Sequence, residues 1–138
     1  MIGADLSVYS RRALRATLSF VPGADLDIVY ALQIPFSAFM LGGETRDAFQ
    51  EQHEADFREM ELLLSSAAHY GCHLAAPRRI VKQGEAVAVL RDEVSNLRPD
   101  LLVLGTHGRG GLPNMLTGSV AEAILNQPSC DVLVVKAW

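Results

Sequence analysis

The sequence is poor in the features that mark several large classes of protein. Its two cysteines, Cys72 and Cys130, lie far apart and outside any CxxC arrangement, so neither a disulfide framework nor a thiolate zinc site has support. No apolar run approaches the roughly 18 residues that cross a bilayer, and no basic start followed by an apolar core opens the chain. No membrane partner is expected, and the expected compartment is the cytoplasm, with both cysteines reduced and Cys130 buried beside the last strand. Positive charge is not in surplus either: 12 Lys and Arg stand against 16 Asp and Glu, a formal net charge of −4. A general nucleic-acid binder needs a basic face to displace counterions from phosphates, so no nucleic-acid partner is expected. Internal repeats, low-complexity tracts and linkers are also missing. What is left is 138 residues, 49% apolar and 20% charged, which is the size and balance of one folded domain over residues 1–138 with one site.

Hydrophobic patterning gives the order of elements. Met1 to Asp5 is a short apolar strand, and Ser7 or Ser10 caps a helix whose apolar side includes Ala13, Leu14, Leu18 and Val21. Pro22-Gly23 stops that helix, and Leu26 to Leu32 is a β-rich run of strand length. Gln33 to Gly43 is an unusually apolar loop, expected to cover something. From Glu44 to Tyr70, Phe49, Phe57, Met60, Leu64 and Ala67 recur at helical spacing, with Gly71 where a C-terminal cap belongs. The acidic outer side of this helix reads as solvated surface. Arg79 to Lys82 is a short strand, Gly84 a turn, and Ala86, Val87, Leu90, Val94 and Leu97 mark the next helix, ended by Pro99-Asp100. Leu101 to Leu104 and Val132 to Val135 are continuous apolar runs, as parallel strands covered on both faces require. A short helix, Ser119 to Asn126, lies between them. Helices between successive strands predict an α/β fold with an open parallel sheet, wound right-handedly.

The chemistry is concentrated in GTHGRGGLPNMLTGSVAEAIL, Gly105 to Leu125. This stretch leaves a strand, turns on Gly105 and Gly108, and enters a helix at Gly118-Ser119. A phosphate chain needs backbone N–H groups aimed at it without Cβ atoms in the way, and a helix N-terminus supplies such groups together with a favourable dipole. Gly118, Ser119 and Val120 meet that need. The Ser119 hydroxyl either bonds a phosphate oxygen or caps its own helix, and the two roles are compatible. Glycines alone would equally make a flexible hairpin-like loop. Two familiar phosphate cradles are absent: there is no GxxxxGK[ST], and Pro113 stands where Gly108-Arg109-Gly110 would need the third glycine of GxGxxG.

The spacing itself, Gly105, two residues, Gly108, nine residues, then Gly118-Ser119, resembles the ATP-binding signature of universal stress proteins. The resemblance covers essentially the whole chain: Ala4-Asp5-Leu6-Ser7 looks like the family's first strand end, SRRAL like its first helix, and CDVLVVKAW like its last strand. It implies a flavodoxin-like sheet of five parallel strands in the order 3-2-1-4-5, with helices on both faces. The first and fourth strands are then neighbours at a switch point, where ligands bind outside the carboxyl ends of the strands. Asp5 and Gly105, found separately, would face one crevice. By the same resemblance the ligand is ATP. Asp5 would accept hydrogen bonds from ribose hydroxyls, Leu104 and Gly105 would lie against the nucleoside, and Ala31 would form part of the adenine wall. Gly108, Arg109, Gly118, Ser119 and Val120 would hold the phosphates, with Mg²⁺ bridging phosphate oxygens. A turn or cap role is the alternative for Asp5. The family also implies a homodimer in which Val132 to Val135, an unprotected apolar edge, pair antiparallel with the same strand of a second copy. One departure stands out: four residues precede Asp5, fewer than the family's first strand has. A late start, a trimmed chain or excision from a tandem protein would each produce this, and the first strand is expected to be weakly supported.

His107 has no second His, Cys or carboxylate at metal or triad spacing and reads as a loop histidine near phosphates. His53, four residues from both Phe49 and Phe57, reads as structural, as do His69 and His73. Arg11, Arg12 and Arg15 fit a solvated helix face. The function implied is an ATP-binding sensor or regulator of the stress response. Its rivals are a slow ATPase or nucleotide-processing enzyme and a dimeric interaction module without nucleotide. Nucleotidyl transferases of related architecture carry HxGH, which is absent here, and no carboxylate is positioned by sequence as a base for water.

Overall fold

The apolar runs become the sheet. The computed structural model describes residues 1–33, 51, 53–55, 57–59, 61–62, 64–65, 77–107 and 118–136. Within them β1 (Ile2–Ala4), β2 (Asp27–Leu32), β3 (Arg78–Gln83), β4 (Leu101–Gly105) and β5 (Asp131–Val135) form one sheet in the order β3-β2-β1-β4-β5. Every neighbouring pair is parallel. The helices are α1 (Val8–Phe20), helical residues within 51–65 (α2), α3 (Ala86–Leu97) and α4 (Ser119–Asn126).

Alternation along the strands fills a layer on each face. Ile2, Ala4, Ile28, Tyr30 and Val103 pack with Ala13, Leu14 and Leu18 of α1 and Leu64 of α2. Val29, Leu102 and Leu104 pack with Val89, Leu90 and Val94 of α3 and Ala121 and Ile124 of α4. Consecutive residues such as Ile28 and Val29 therefore both bury their side chains, each worth roughly 1.5–3 kcal/mol, and this is why the strands read as unbroken apolar runs. Tyr30 is buried against α2, where its hydroxyl lies 2.5 Å from His53 Nδ1 and its ring meets Phe57 edge-on. His53 is thus a packed, hydrogen-bonded core histidine, as its spacing from Phe57 suggested.

The first strand is better held than its length suggests. It is three residues long, yet it is central: Ile2, Gly3 and Ala4 register with Ile28, Val29 and Tyr30, and Ile2 with Val103 on the other side. The ladder continues one residue further, since the Met1 nitrogen donates to the Leu101 carbonyl and the Val103 N–H to the Met1 carbonyl, both at 2.9 Å. Gly3 lets the α3 layer settle on it; a Cβ there would come 2.6 Å from Leu104 Cδ2 and 2.9 Å from Leu90 Cδ2. Ser7, not Ser10, caps α1: its Oγ accepts from the Ser10 N–H at 3.3 Å. Cys130 is half-buried rather than buried, because it sits in the turn before β5 and only its inner side meets the α3–α4 layer. The apolar loop after Gln33, the flanks of the long helix (Phe49, Met60, Ala67 and Gly71), and Gly108 and Arg109 lie outside the described residues.

Candidate functional site at the carboxyl ends of β1 and β4

β1 and β4 run side by side, but the chain leaves them in opposite directions. α1, after β1, packs on one face; α4, after β4, packs on the other. Two connections that diverge in this way make the strand ends a topological switch point, the place where open α/β sheets bind ligands.

Asp5 follows β1 directly and is half-buried, and its Oδ1 accepts from the Ser7 N–H at 3.0 Å. Between them Leu6 takes a left-handed conformation (φ 63) with its side chain buried at 3% exposure. A non-glycine residue in that region is strained by on the order of 1 kcal/mol or more; the burial and the Asp5–Ser7 bond hold it there. The turn role foreseen for Asp5 is therefore real, and it uses one of several acceptor directions that a carboxylate offers. Carrying the β1 register forward by one residue from Ala4–Tyr30 sets Asp5 beside Ala31, and the Ile2–Val103 pairing sets it beside Thr106. Ala31 is half-buried against the α3–α4 layer, and Leu104 is fully buried in it.

The glycines at the two ends of the signature are explained by close approach of the chain to itself. A Cβ on Gly105 would lie 3.0 Å from the carbonyl carbon and Cβ of Tyr9, so glycine lets the first turn of α1 rest on the end of β4. Gly118 is the N-cap of α4, with φ −72 and ψ 156, a conformation open to any residue. Its need is for space: a Cβ would meet the Thr106 carbonyl oxygen at 3.0 Å and His107 Cα at 3.3 Å. A valine at Gly118 would therefore push first against this chain's own backbone, before any ligand. The Gly118 N–H donates to that same Thr106 carbonyl, while the Thr106 N–H donates to the Val135 carbonyl at 3.0 Å. The start of α4 is in this way tied to the end of β4 and through it to β5. Sequence reading passed over Thr106 and Tyr9; the adjacency of Thr106 to Gly105 was the available signal for the first, and nothing local marks the second.

α4 opens with donors. Gly118 has no side chain to cap it, and the first intrahelical bond runs from the Glu122 N–H to the Gly118 carbonyl at 2.9 Å. The Ser119, Val120 and Ala121 N–H groups precede that bond and have no acceptor within the helix. Ser119 is exposed and is the first helical residue; the N-cap position is Gly118, so the Ser119 hydroxyl does not cap the helix and no side chain does. Glu122, exposed in the same turn, is a modest counterweight to any anion there. His107 stands at the junction: Nδ1 is 3.1 Å from Thr106 Oγ1, and the ring centroid is 5.2 Å from that of Tyr9. Among the described residues no group of three or more His, Cys, Asp or Glu comes together as a metal site would require, and no helix is long and apolar enough to cross a membrane.

The model of the universal stress protein family matches residues 1–136. Universal stress protein A homolog 1 of Coxiella burnetii is 31% identical over 136 residues, covering 95% of this chain and 90% of that protein. Homolog 2 of the same organism is 36% identical over 64 residues, 46% of this chain and 43% of its own length. Solved structures share the fold. UspA from Lactobacillus plantarum superposes with a TM-score of 0.73 at 17% identity over 97% of this chain and 95% of that one. A universal stress protein in complex with cAMP gives 0.67 at 23% identity, with 97% and 92% covered. An Arabidopsis thaliana family protein with AMP bound gives 0.64 at 19% identity, with 96% and 80% covered.

Proposed function

The chain belongs to the universal stress protein family, and from that premise we propose that it binds an adenine nucleotide, ATP with Mg²⁺, in the crevice at the carboxyl ends of β1 and β4. The observation that carries this reading is the bond from the Gly118 N–H to the Thr106 carbonyl, which holds the two flanks of the glycine signature together beside Asp5. The donor set fits the ligand. Phosphate oxygens need N–H groups, and the first turn of α4 offers those of Ser119 and Val120 at the positive end of a helix dipole. Ribose hydroxyls need an acceptor, and Asp5 supplies a carboxylate at the end of the neighbouring strand. Leu104 and Gly105 form the floor beneath the nucleoside, Ala31 the side of the base, and Gly108 and Arg109 complete the phosphate contacts. Bound Mg²⁺ would neutralise phosphate charge and would be held by phosphate oxygens and water more than by protein. Family structures with cAMP or AMP bound support the class of ligand.

The activity that follows is regulatory: occupancy alters a surface seen by partners in the cytoplasm. Hydrolysis runs far below the roughly 10 per second of a median enzyme, since the glycine cradle binds ground-state phosphate without supplying a base for water. Calorimetric titration of ATP and Mg²⁺ into the purified chain tests the reading, with Ser119→Pro as the variant. Proline is favoured at the first helical position, and Gly118, at φ −72 and ψ 156, already has the conformation that a following proline demands. The substitution removes one N–H and one hydroxyl donor while leaving the helix intact. ATP affinity is expected to fall about tenfold or more, as lost hydrogen bonds to a charged group imply. Absence of saturable ATP binding by the parent chain overturns the proposal.

A further inference from the structure

Tyr9 belongs to α1, yet it meets the segment after β4 twice. Its backbone makes one contact: a Cβ on Gly105 would lie 3.0 Å from the Tyr9 carbonyl carbon and 3.1 Å from its oxygen, so the first turn of α1 sits directly on the end of β4. Its ring makes the other, tilted at 45° to the His107 imidazole with the centroids 5.2 Å apart. That separation is within the roughly 4.5–7 Å over which aromatic rings attract one another. Both rings stand on anchored backbone. Tyr9 follows the N-cap Ser7, whose Oγ accepts from the Ser10 N–H at 3.3 Å and whose carbonyl accepts from the Arg11 N–H at 3.1 Å. His107 follows Thr106, which is bonded through its backbone to both Val135 and Gly118, and its Cα is 3.3 Å from where a Gly118 Cβ would stand. The ring pair therefore ties α1, on one face of the sheet, to the entrance of α4, on the other.

Resting on the nucleotide-binding reading above, we propose that Tyr9 is a positioning residue for this site: its ring braces His107, and through it the start of α4, in the place that a bound ligand requires. Tyr9 itself does not touch the nucleotide. What the brace supplies is preorganisation, since a segment already held in its binding conformation does not have to be ordered when the ligand arrives. The role belongs to the ring face and not to the hydroxyl, so phenylalanine should serve as well as tyrosine. It also belongs to one half of the site. Asp5, Ala31 and Leu104, assigned to the nucleoside, are carried by β1, β2 and β4 and their packing layers, whereas the donors of Ser119 and Val120 are carried by α4. Loss of the ring therefore weakens binding of ATP and spares binding of adenosine.

The experiment is a double-mutant cycle. Kd for ATP and for adenosine is measured by calorimetry in the parent, Tyr9→Leu, His107→Leu and the double variant, with Tyr9→Phe as the conservative control. Tyr9→Leu is expected to lower ATP affinity about three- to tenfold, the scale of one aromatic pair, and to leave adenosine affinity unchanged, while Tyr9→Phe binds as the parent does. In the His107→Leu background the same replacement should have no further effect, because the ring that it supports is gone. Tyr9→Met takes the place of the leucine variant should that one fold poorly. A role confined to packing α1 on β4 would lower the urea midpoint but would move neither the ratio of ATP to adenosine affinity nor the cycle. Parent-like ATP affinity in Tyr9→Leu, an equal loss with adenosine, additive losses in the double variant, or a Tyr9→Phe as weak as Tyr9→Leu overturns the role of Tyr9 while leaving nucleotide binding intact. Failure of the parent to bind ATP overturns both readings.

Discussion

Asp5 answers two demands with one carboxylate. Its Oδ1 closes the turn that holds Leu6 in a left-handed conformation, and in the proposed complex it also receives ribose hydroxyls. The two can be separated by substitution. Asparagine keeps an oxygen for the Ser7 N–H but loses the charge, whereas alanine loses both. Asp5→Asn is expected to change stability by under about 0.5 kcal/mol and Asp5→Ala to cost about 1 kcal/mol, the worth of a local cap-like bond. Both should weaken ATP binding, Asp5→Asn by severalfold and Asp5→Ala by more. Urea denaturation reads the first quantity and calorimetry the second. Parent-like ATP affinity in a folded Asp5→Asn would reduce Asp5 to a turn residue. The same separation explains why the signature glycines are ambiguous in sequence. Spacing identified Gly105 and Gly118, but the reasons for them, a helix turn resting on Gly105 and a carbonyl against Gly118, involve Tyr9 and Thr106. The first of these, across almost a hundred residues, leaves no local trace.

At the scale of elements, what could be read from the chain was what periodicity and punctuation encode. α4 follows its pattern to the residue, and the helix over 86–97 was legible from its apolar face. Its ends were not. The N-cap of α3 is Glu85, outside the usual Ser, Thr, Asp and Asn set, whose two carboxylate oxygens accept from the Val87 and Ala88 N–H groups at 3.0 and 2.9 Å. At the other end Pro99 reads as the stop, but the chain has already left the helix at Arg98, the C-cap, with φ 47 and ψ 55. Pro99 forbids helix at the residue before it, and the left-handed region is one way out. Arg98 is exposed, so its side chain contributes little packing and its backbone conformation dominates the effect of replacement. Arg98→Gly is expected to raise stability by roughly 0.5–1 kcal/mol by removing the Cβ penalty. The test is the urea midpoint at unchanged m-value, and a lower midpoint would show that the arginine, not the backbone, is what matters there.

At the scale of the molecule, the sheet has two unlike edges. β3 carries Arg78, Arg79 and Lys82, with Arg78 paired to Asp27 and Lys82 3.7 Å from Glu93, and charge of this kind discourages strand addition. β5 follows Asp131 with Val132, Leu133, Val134 and Val135, all half-buried. The strand order that makes β5 an edge came from the family signature, since nothing in a run of valines says which neighbour it will have; the structure bears out that order. The proposal that β5 pairs antiparallel with β5 of a second copy becomes specific once its backbone directions are known. Thr106 N–H donates to the Val135 carbonyl, so Val135 turns its backbone groups toward β4. Directions alternate along a strand, so Val134 and Val132 turn theirs outward, to the open edge. Val134→Pro removes an outward donor and leaves the β4–β5 ladder whole, whereas Val135→Pro breaks that ladder. Light scattering at micromolar concentration should give a dimer mass for the parent and a monomer mass for Val134→Pro, with circular dichroism confirming that the variant is folded. Val135→Pro should instead lose structure altogether. A monomeric parent rules the interface out. A folded Val134→Pro that remains dimeric places the contact elsewhere, because no antiparallel pairing along β5 can proceed past a missing central donor without losing the two-fold self-complementarity on which it depends.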